Sequence, residues 1–138
     1  DFHVRRSDMV YISDYAHHPE EIRQSILSIK QLYEGRRIKA IFQPHLYSRT
    51  KDFYQEFADA LSLLDDVVLL DIYPAREEPI PGVTSQLIYD NLRPGISKHM
   101  CQKQDILDYV KAKDFDVLVT LGAGDIENYA EEITEILN

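Results

Sequence analysis

The chain alternates short apolar runs of strand length with segments of helical period, and it does so about five times. This constrains the fold more than any other feature, because a strand, a helix and a further strand in regular succession pack as a mostly parallel sheet covered by helices. Strand-like runs fall at residues 9–12, 38–42, 67–72, 96–100 and 115–121. The run beginning Val67-Val68-Leu69-Leu70 is aliphatic enough for a central strand covered on both faces. Between the first two runs, Ile22, Ile26, Ile29 and Tyr33 stand at i, i+4, i+7 and i+11, one apolar stripe that Pro19 can open and Gly35 can close. Phe53, Phe57, Ala60, Leu61 and Leu64 make a second stripe with Thr50 as its expected N-cap. Shorter helices are expected from Thr84 or Ser85 to Leu92 and around Ile106, Leu107 and Val110. A last one carries Ile126, Tyr129, Ala130, Ile133 and Leu137. The reading is an α/β, Rossmann-like, doubly wound sheet of about six strands with helices on both faces. At 138 residues, positions 1–138 form one domain without room for a second core.

Composition removes several functional classes. Charged residues make up 28% and hydrophobic ones 44%, which is the globular range. No apolar stretch approaches the roughly 20 residues of a membrane span. The formal charge of -9 argues against a nucleic-acid track, which would need a basic excess. A single cysteine, Cys101, cannot form an internal bridge, so a reducing, cytoplasmic setting is expected.

In a sheet of this kind ligands bind beyond the carboxyl ends of the strands. Four polar loops should converge there: residues 13–18, 43–50, 73–82 and 122–125. The first offers Asp14, Tyr15, His17 and His18 before a helix. Asp14 can accept from ribose hydroxyls, Tyr15 can lie against a base or sugar, and His17 can donate to a phosphate or carboxylate. Alternatively, His18 and Glu21 simply tie down the first helical turn. Adjacent histidines without a third ligand at zinc-like spacing do not indicate a metal. In the second loop Arg49 supplies a planar fork for an anion, with His45 beside it; the alternative is a surface pair between Arg49 and Asp52 or Glu56. The three prolines of 73–82 make an ordered loop, with Arg76 as its cation. Gly122-Ala123-Gly124 suits either a tight strand-to-helix turn or a backbone cradle for a carboxylate. A stand-alone flavodoxin-like or response-regulator-like module would use the same strand ends. Against the second of these, Asp14 is alone and no lysine follows Phe115.

Taken in order, Asp14-Tyr15-Ala16-His17-His18-Pro19, then Phe42-Gln43-Pro44-His45 with Tyr47-Ser48-Arg49-Thr50, then Tyr73-Pro74-Ala75 with Pro79-Ile80-Pro81-Gly82, and finally Gly122-Ala123-Gly124-Asp125-Ile126 resemble the C-terminal domain of the Mur ligases. The likeness spans essentially the whole chain and is nearest to the alanine-adding branch. It implies ATP-dependent amide formation between L-alanine and UDP-N-acetylmuramate through an acyl phosphate, in peptidoglycan synthesis. It also implies an excised third domain, because no G-x-x-x-x-G-K-[ST] P-loop is present. Such a domain should be inactive alone and monomeric, with Asp1-Phe2-His3 the remnant of a junction to a central ATPase domain that holds most of the Mg. The resemblance further implies that Asp14 and Tyr15 face the ATP ribose, and that His17, His45 and Arg49 face the reacting carboxylate or the incoming amino acid. It places Gly122, Ala123 and Gly124 along the amino-acid pocket, and it implies no metal ligand here. Where many Mur ligases carry Arg after the His of the second motif, this chain has Leu46, which leaves more of the anion contact to Arg49 and Arg76.

Overall fold

Side chains on β3 (Ile38–Phe42) and β6 (Val117–Leu121) are buried without exception, which is possible only where both faces of a strand are covered. In the computed structural model, which describes residues 1–138, these strands lie in the middle of one six-stranded sheet. Its other members are β1 (Phe2–Arg5), β2 (Val10–Asp14), β4 (Asp66–Leu69) and β5 (Ser97–Met100), and the order is β1-β2-β6-β3-β4-β5. All pairings are parallel except that of β1 with β2.

The direction of the crossovers decides where the helices go. From β2 through β3 and β4 to β5 the chain steps always the same way, so α1 (Pro19–Leu32), α2 (Tyr47–Leu61) and α3 (Gln86–Asp90) share one face. The return from β5 to β6 reverses direction and puts α4 (Ile106–Lys111) on the other face, with α5 (Ala130–Leu137) after it. Two cores follow from the pleat. Ala40, Phe42, Val67, Leu69, Val117, Val119 and Leu121 pack under Ile22, Ile26, Phe57, Leu61 and Ile88. Ile41, Val68, Leu70 and Leu118 pack against Ile106, Val110, Ile133 and Leu137. Because β6 inserts between β2 and β3, the strand order switches at this point, and the carboxyl ends of these three strands lie side by side.

The doubly wound expectation holds, with local differences. β1 was not foreseen: Phe2 and His3, two of the three residues read as a junction remnant, begin an edge strand, which has only Val4 turned inward and so no alternation to detect. The central run ends at Leu69, although Leu70 still donates its N–H to Phe42. Thr50 is not the N-cap of α2. The helix begins at Tyr47, and the Thr50 hydroxyl bonds back to the Leu46 carbonyl inside the first turn. The last helix is preceded by a 3-10 segment, Asp125–Tyr129. No helix is long and apolar enough to cross a membrane.

At the opposite pole of the sheet, Lys39 is 2% exposed and Asp66 1%. Lys39 Nζ lies 2.6 Å from Asp114 and 3.6 Å from Asp66, over the ring of Phe115 at 5.4 Å. Arg37 adds a contact of 3.5 Å to Asp66. Removing Lys39 leaves the buried Asp66 with only the longer contact to the half-exposed Arg37, an incompletely paired buried anion. Lys39→Met is therefore expected to lower stability by about 3 kcal/mol in urea unfolding, and a loss under about 1 kcal/mol would refute a structural role for the pair.

Candidate functional site

The carboxyl ends of β2, β3 and β6 deliver three of the four polar loops to one place, and the loop after β4 folds over to meet them. After β2, Asp14 accepts the Ala16 N–H at 2.9 Å and the Ser25 hydroxyl at 2.5 Å, which turns the chain toward α1. The next residues carry the rings. His17 Nδ1 stands 3.1 Å from the Tyr15 carbonyl; a carbonyl only accepts, so Nδ1 carries the proton and Nε2 is left free. Glu21 Oε1 accepts the N–H of His18 at 3.1 Å and of His17 at 3.4 Å. Those two bonds, His18 first, hold the Glu21 carboxyl below its ordinary range. Glu21 thus ties down the first turn of α1, in a capping box that His18 shares as the N-cap, in keeping with the alternative reading of this pair.

After β3, the segment Pro44 to Leu46 pairs with Tyr73 as a one-residue extension of the sheet. Leu46 donates to the Tyr73 carbonyl at 2.9 Å, and Tyr73 donates to the Pro44 carbonyl at 2.8 Å. This brings the loops together: the His45 ring centroid lies 5.7 Å from that of His17 and 5.6 Å, edge on, from Tyr73, while Tyr15 meets His17 at 5.9 Å. His17 and His18 are 4.9 Å apart. Arg49 follows in the first turn of α2.

Two atoms here break the usual accounting of buried polar groups. His45 Nδ1 and Arg49 Nη1 are both buried without a hydrogen-bond partner, as is Asp66 Oδ1 at the opposite pole; such groups are few in native structures and call for an explanation. The expected alternative for Arg49, a pair with Asp52 or Glu56, does not form. Desolvation first, then the Arg49 charge, then His17, keep the His45 imidazole below its ordinary value of 6.5. The site therefore combines a neutral imidazole with an unpaired guanidinium, which suits an anionic oxygen beside a group that gives up a proton.

The glycine turn after β6 has a different local reason. At Gly122, φ is 133°, and a Cβ would lie 2.6 Å from the Gln43 carbonyl oxygen. At Gly124 it would lie 2.7 Å from the Tyr73 ring and 2.8 Å from Gln43 Oε1. Gln43, 2% exposed, uses Oε1 to accept the Ile126 N–H at 2.9 Å. Gly122 donates to the Asp14 carbonyl at 3.1 Å. The turn locks the three strand ends and backs the Tyr73 and His45 pair. Sequence reading had no sign of Gln43 or Ser25 in these roles. Nor did it flag Glu77, which reaches from the 73–82 loop to Ser48; a glutamate in a proline-rich surface loop looks like rim.

Cys101 is buried, and its thiol is pushed up to about 12 by desolvation, then by Asp105 and Asp71, so it is chemically quiet. His17, His18 and Glu21 have ligand atoms within 4.8 Å of one another. That donor set does not fit Mg, which takes hard oxygen ligands, and Glu21 is committed to a helix N-terminus whose dipole disfavours a cation.

A family model described as Mur ligase, glutamate ligase domain, matches residues 2–124. The chain is 63% identical over 138 residues to a UDP-N-acetylmuramate--L-alanine ligase of Phocaeicola vulgatus, covering 100% of the chain and 30% of that protein. It is 56% identical to the Parabacteroides distasonis protein of the same name, covering 99% and 29%. Among solved structures it is similar to a UDP-N-acetylmuramate-alanine ligase from Thermotoga maritima, with a TM-score of 0.73 and 31% identity, over 97% of this chain and 28% of that one. A domain from a putative UDP-N-acetylmuramate:L-alanyl-gamma-D-glutamyl-meso-diaminopimelate ligase from Haemophilus ducreyi shares the fold at a TM-score of 0.63 and 18% identity, over 95% and 93%. The chain thus spans about 30% of the length of the curated relatives it matches.

A proton NMR titration of the five histidines tests the electrostatics. His45 is expected to titrate below 6.5 and to move upward in Arg49→Ala, because the second cause of its depression is gone. A His45 midpoint at or above 6.5 in the unaltered chain would contradict the burial described.

Proposed function

The chain belongs to the Mur ligase family as its glutamate ligase domain, and on that premise we propose that it is the C-terminal, closing domain of a cytoplasmic, ATP-dependent ligase that joins L-alanine to UDP-N-acetylmuramate in peptidoglycan synthesis. The observation that carries this reading is the pair of buried, partnerless atoms, Arg49 Nη1 and His45 Nδ1, on the loop and first helical turn that follow the carboxyl end of β3.

The reaction requires a carboxylate to be activated as an acyl phosphate and then attacked by an amine. Most of what a protein contributes to such a transfer is placement and charge neutralisation. Arg49 offers the planar fork for a carboxylate or phosphoryl oxygen. His45, uncharged near neutral pH, is placed to accept a proton as the amine adds to the carbonyl carbon and phosphate departs. His17, with its Nδ1 proton committed to the Tyr15 carbonyl, presents Nε2 to the same space. Tyr15 is 56% exposed beside these groups, an aromatic face free to lie against the nucleoside of ATP. Both Asp14 oxygens already accept internal bonds, so a ribose contact would use their remaining lone pairs. Gly122, Ala123 and Gly124 border the amino-acid side of the pocket. Leu46 brings no charge, which leaves Arg49 as the cation of this loop nearest the acceptor. Upstream domains, lying in the remainder of the relatives' length, would bring ATP, Mg and the UDP-sugar.

This chain alone is expected to release no phosphate in an alanine-dependent manner, whereas the full-length ligase should. In the full-length enzyme, Arg49→Ala is expected to lower kcat/KM by roughly 10- to 150-fold, the loss of one charge-assisted contact of about 1.5 to 3 kcal/mol. Asp14→Ala should act mainly on the KM for ATP. Near-normal turnover in both variants would sink the residue roles, and alanine-dependent phosphate release by the isolated chain would sink the reading as a closing domain.

A further inference from the structure

The first turn of α2 lacks the parts that normally close a helix N-terminus. Its N-cap is Leu46, at φ 73° and ψ 137°, with no side-chain acceptor, and the turn contains no acidic residue. It does contain Arg49, a cation at the end of the helix where the dipole already leaves positive partial charge. Free helix N–H groups in such a place need an acceptor from elsewhere.

That acceptor is Glu77, 29 residues further along the chain. One of its carboxylate oxygens accepts the Ser48 N–H at 3.0 Å and the other accepts the Ser48 hydroxyl. The Ser48 hydroxyl first, then the Ser48 amide, with smaller help from the Tyr47 amide and Arg49, hold the Glu77 carboxyl below its ordinary range. It is an anion seated where a helix N-terminus receives one. Arg49 nevertheless does not fold onto it: Nη1 stays buried and partnerless, as does His45 Nδ1. At the other end of the same loop, the backbone exchange between Tyr73 and the segment 44–46 fastens the chain again. His45 and Arg49 therefore stand between two ties, one on the backbone at Tyr73 and one on the side chain of Glu77.

We propose that Glu77 is a positioning residue of the ligase site: by capping α2 from the 73–82 loop it holds Arg49 and His45 apart and open toward the anionic group of the substrate. This rests on the ligase reading given above. Glu77 acts through Ser48 and the helix end and does not itself contact substrate. The cap depends on accepting hydrogen bonds, so a neutral acceptor of the same length should replace it.

The test uses the full-length ligase carrying this domain, assayed with L-alanine, ATP and UDP-N-acetylmuramate. Glu77→Ala should lower kcat/KM for L-alanine about 10- to 100-fold, chiefly through KM, the size of effect that a displacement of the order of 1 Å produces. Glu77→Gln, which can still accept from the Ser48 amide and hydrogen-bond its hydroxyl, should return to within about 3-fold of the parent, and KM for ATP should stay within about 2-fold in both. Ser48→Ala should fall between the two, and adding it to Glu77→Ala should make little further difference, since both remove the same tie. Equal damage from Gln and Ala would overturn the proposal in favour of a charge that meets the substrate directly. So would unchanged kinetics in Glu77→Ala, or a lowered Tm with normal activity per folded molecule. A parent enzyme with no alanine-dependent phosphate release would instead remove the ligase reading, and the role of Glu77 with it.

Discussion

The close approach of β6 to the end of β3 is the constraint on which the site depends. Gly122 sits against the Gln43 carbonyl, and Gly124 against the Gln43 side chain and the Tyr73 ring, at distances no Cβ could share. Gln43 in turn spends its buried side-chain oxygen on Ile126, at the entry to the last helical segment. One buried amide and two glycines thus pin the ends of β3 and β6 together, with β2 attached through Asp14 and Gly122. Since β2 and β3 release the loops of His17 and His45, their spacing sets the distance between those rings, and Gly124 after β6 backs Tyr73 from the β4 loop. A loosening at this junction would move all three rings at once.

Electrostatics follows from that geometry. The molecule is strongly acidic, at -9, yet its strand ends gather three imidazoles, a guanidinium and a helix N-terminus in one place. Such a concentration of positive and potentially positive groups is tolerable for two reasons. The His45 ring is desolvated enough to stay uncharged, and Glu77 supplies hydrogen-bond acceptors at the helix end. The net charge of the chain is spread over its surface, whereas a small anionic ligand meets only the groups at the strand ends, among which Arg49 is the fixed cation.

Legibility in the sequence varied with the kind of signal. β3, β6 and α1 were clear because their burial repeats with a single period: continuous for strands covered on both faces, i and i+4 for the helix. β1 escaped because one inward residue makes no period. The start of α2 escaped because a leucine at positive φ followed by Tyr47 carries no capping signal; the cap arrives from 29 residues away. The residues of the site were legible as types, since His17, His45 and Arg49 lie in loops expected at the strand ends. The bland reading of the glycine turn as a tight junction agrees with the packing around Gly122 and Gly124. The surface pair offered as an alternative for Arg49 is absent.

Local pattern alone was enough to determine the α/β class and the family likeness, because alternation, helical period and motif order are properties of neighbours along the chain. Which polar atoms would be buried and left without partners was decided only when β6 slid between β2 and β3 and the 73–82 loop folded across α2. Burial and hydrogen-bond satisfaction are properties of neighbours in space. That is why Arg49 and His45 could be nominated from sequence, whereas Gln43 and Glu77, which hold them in place, could not.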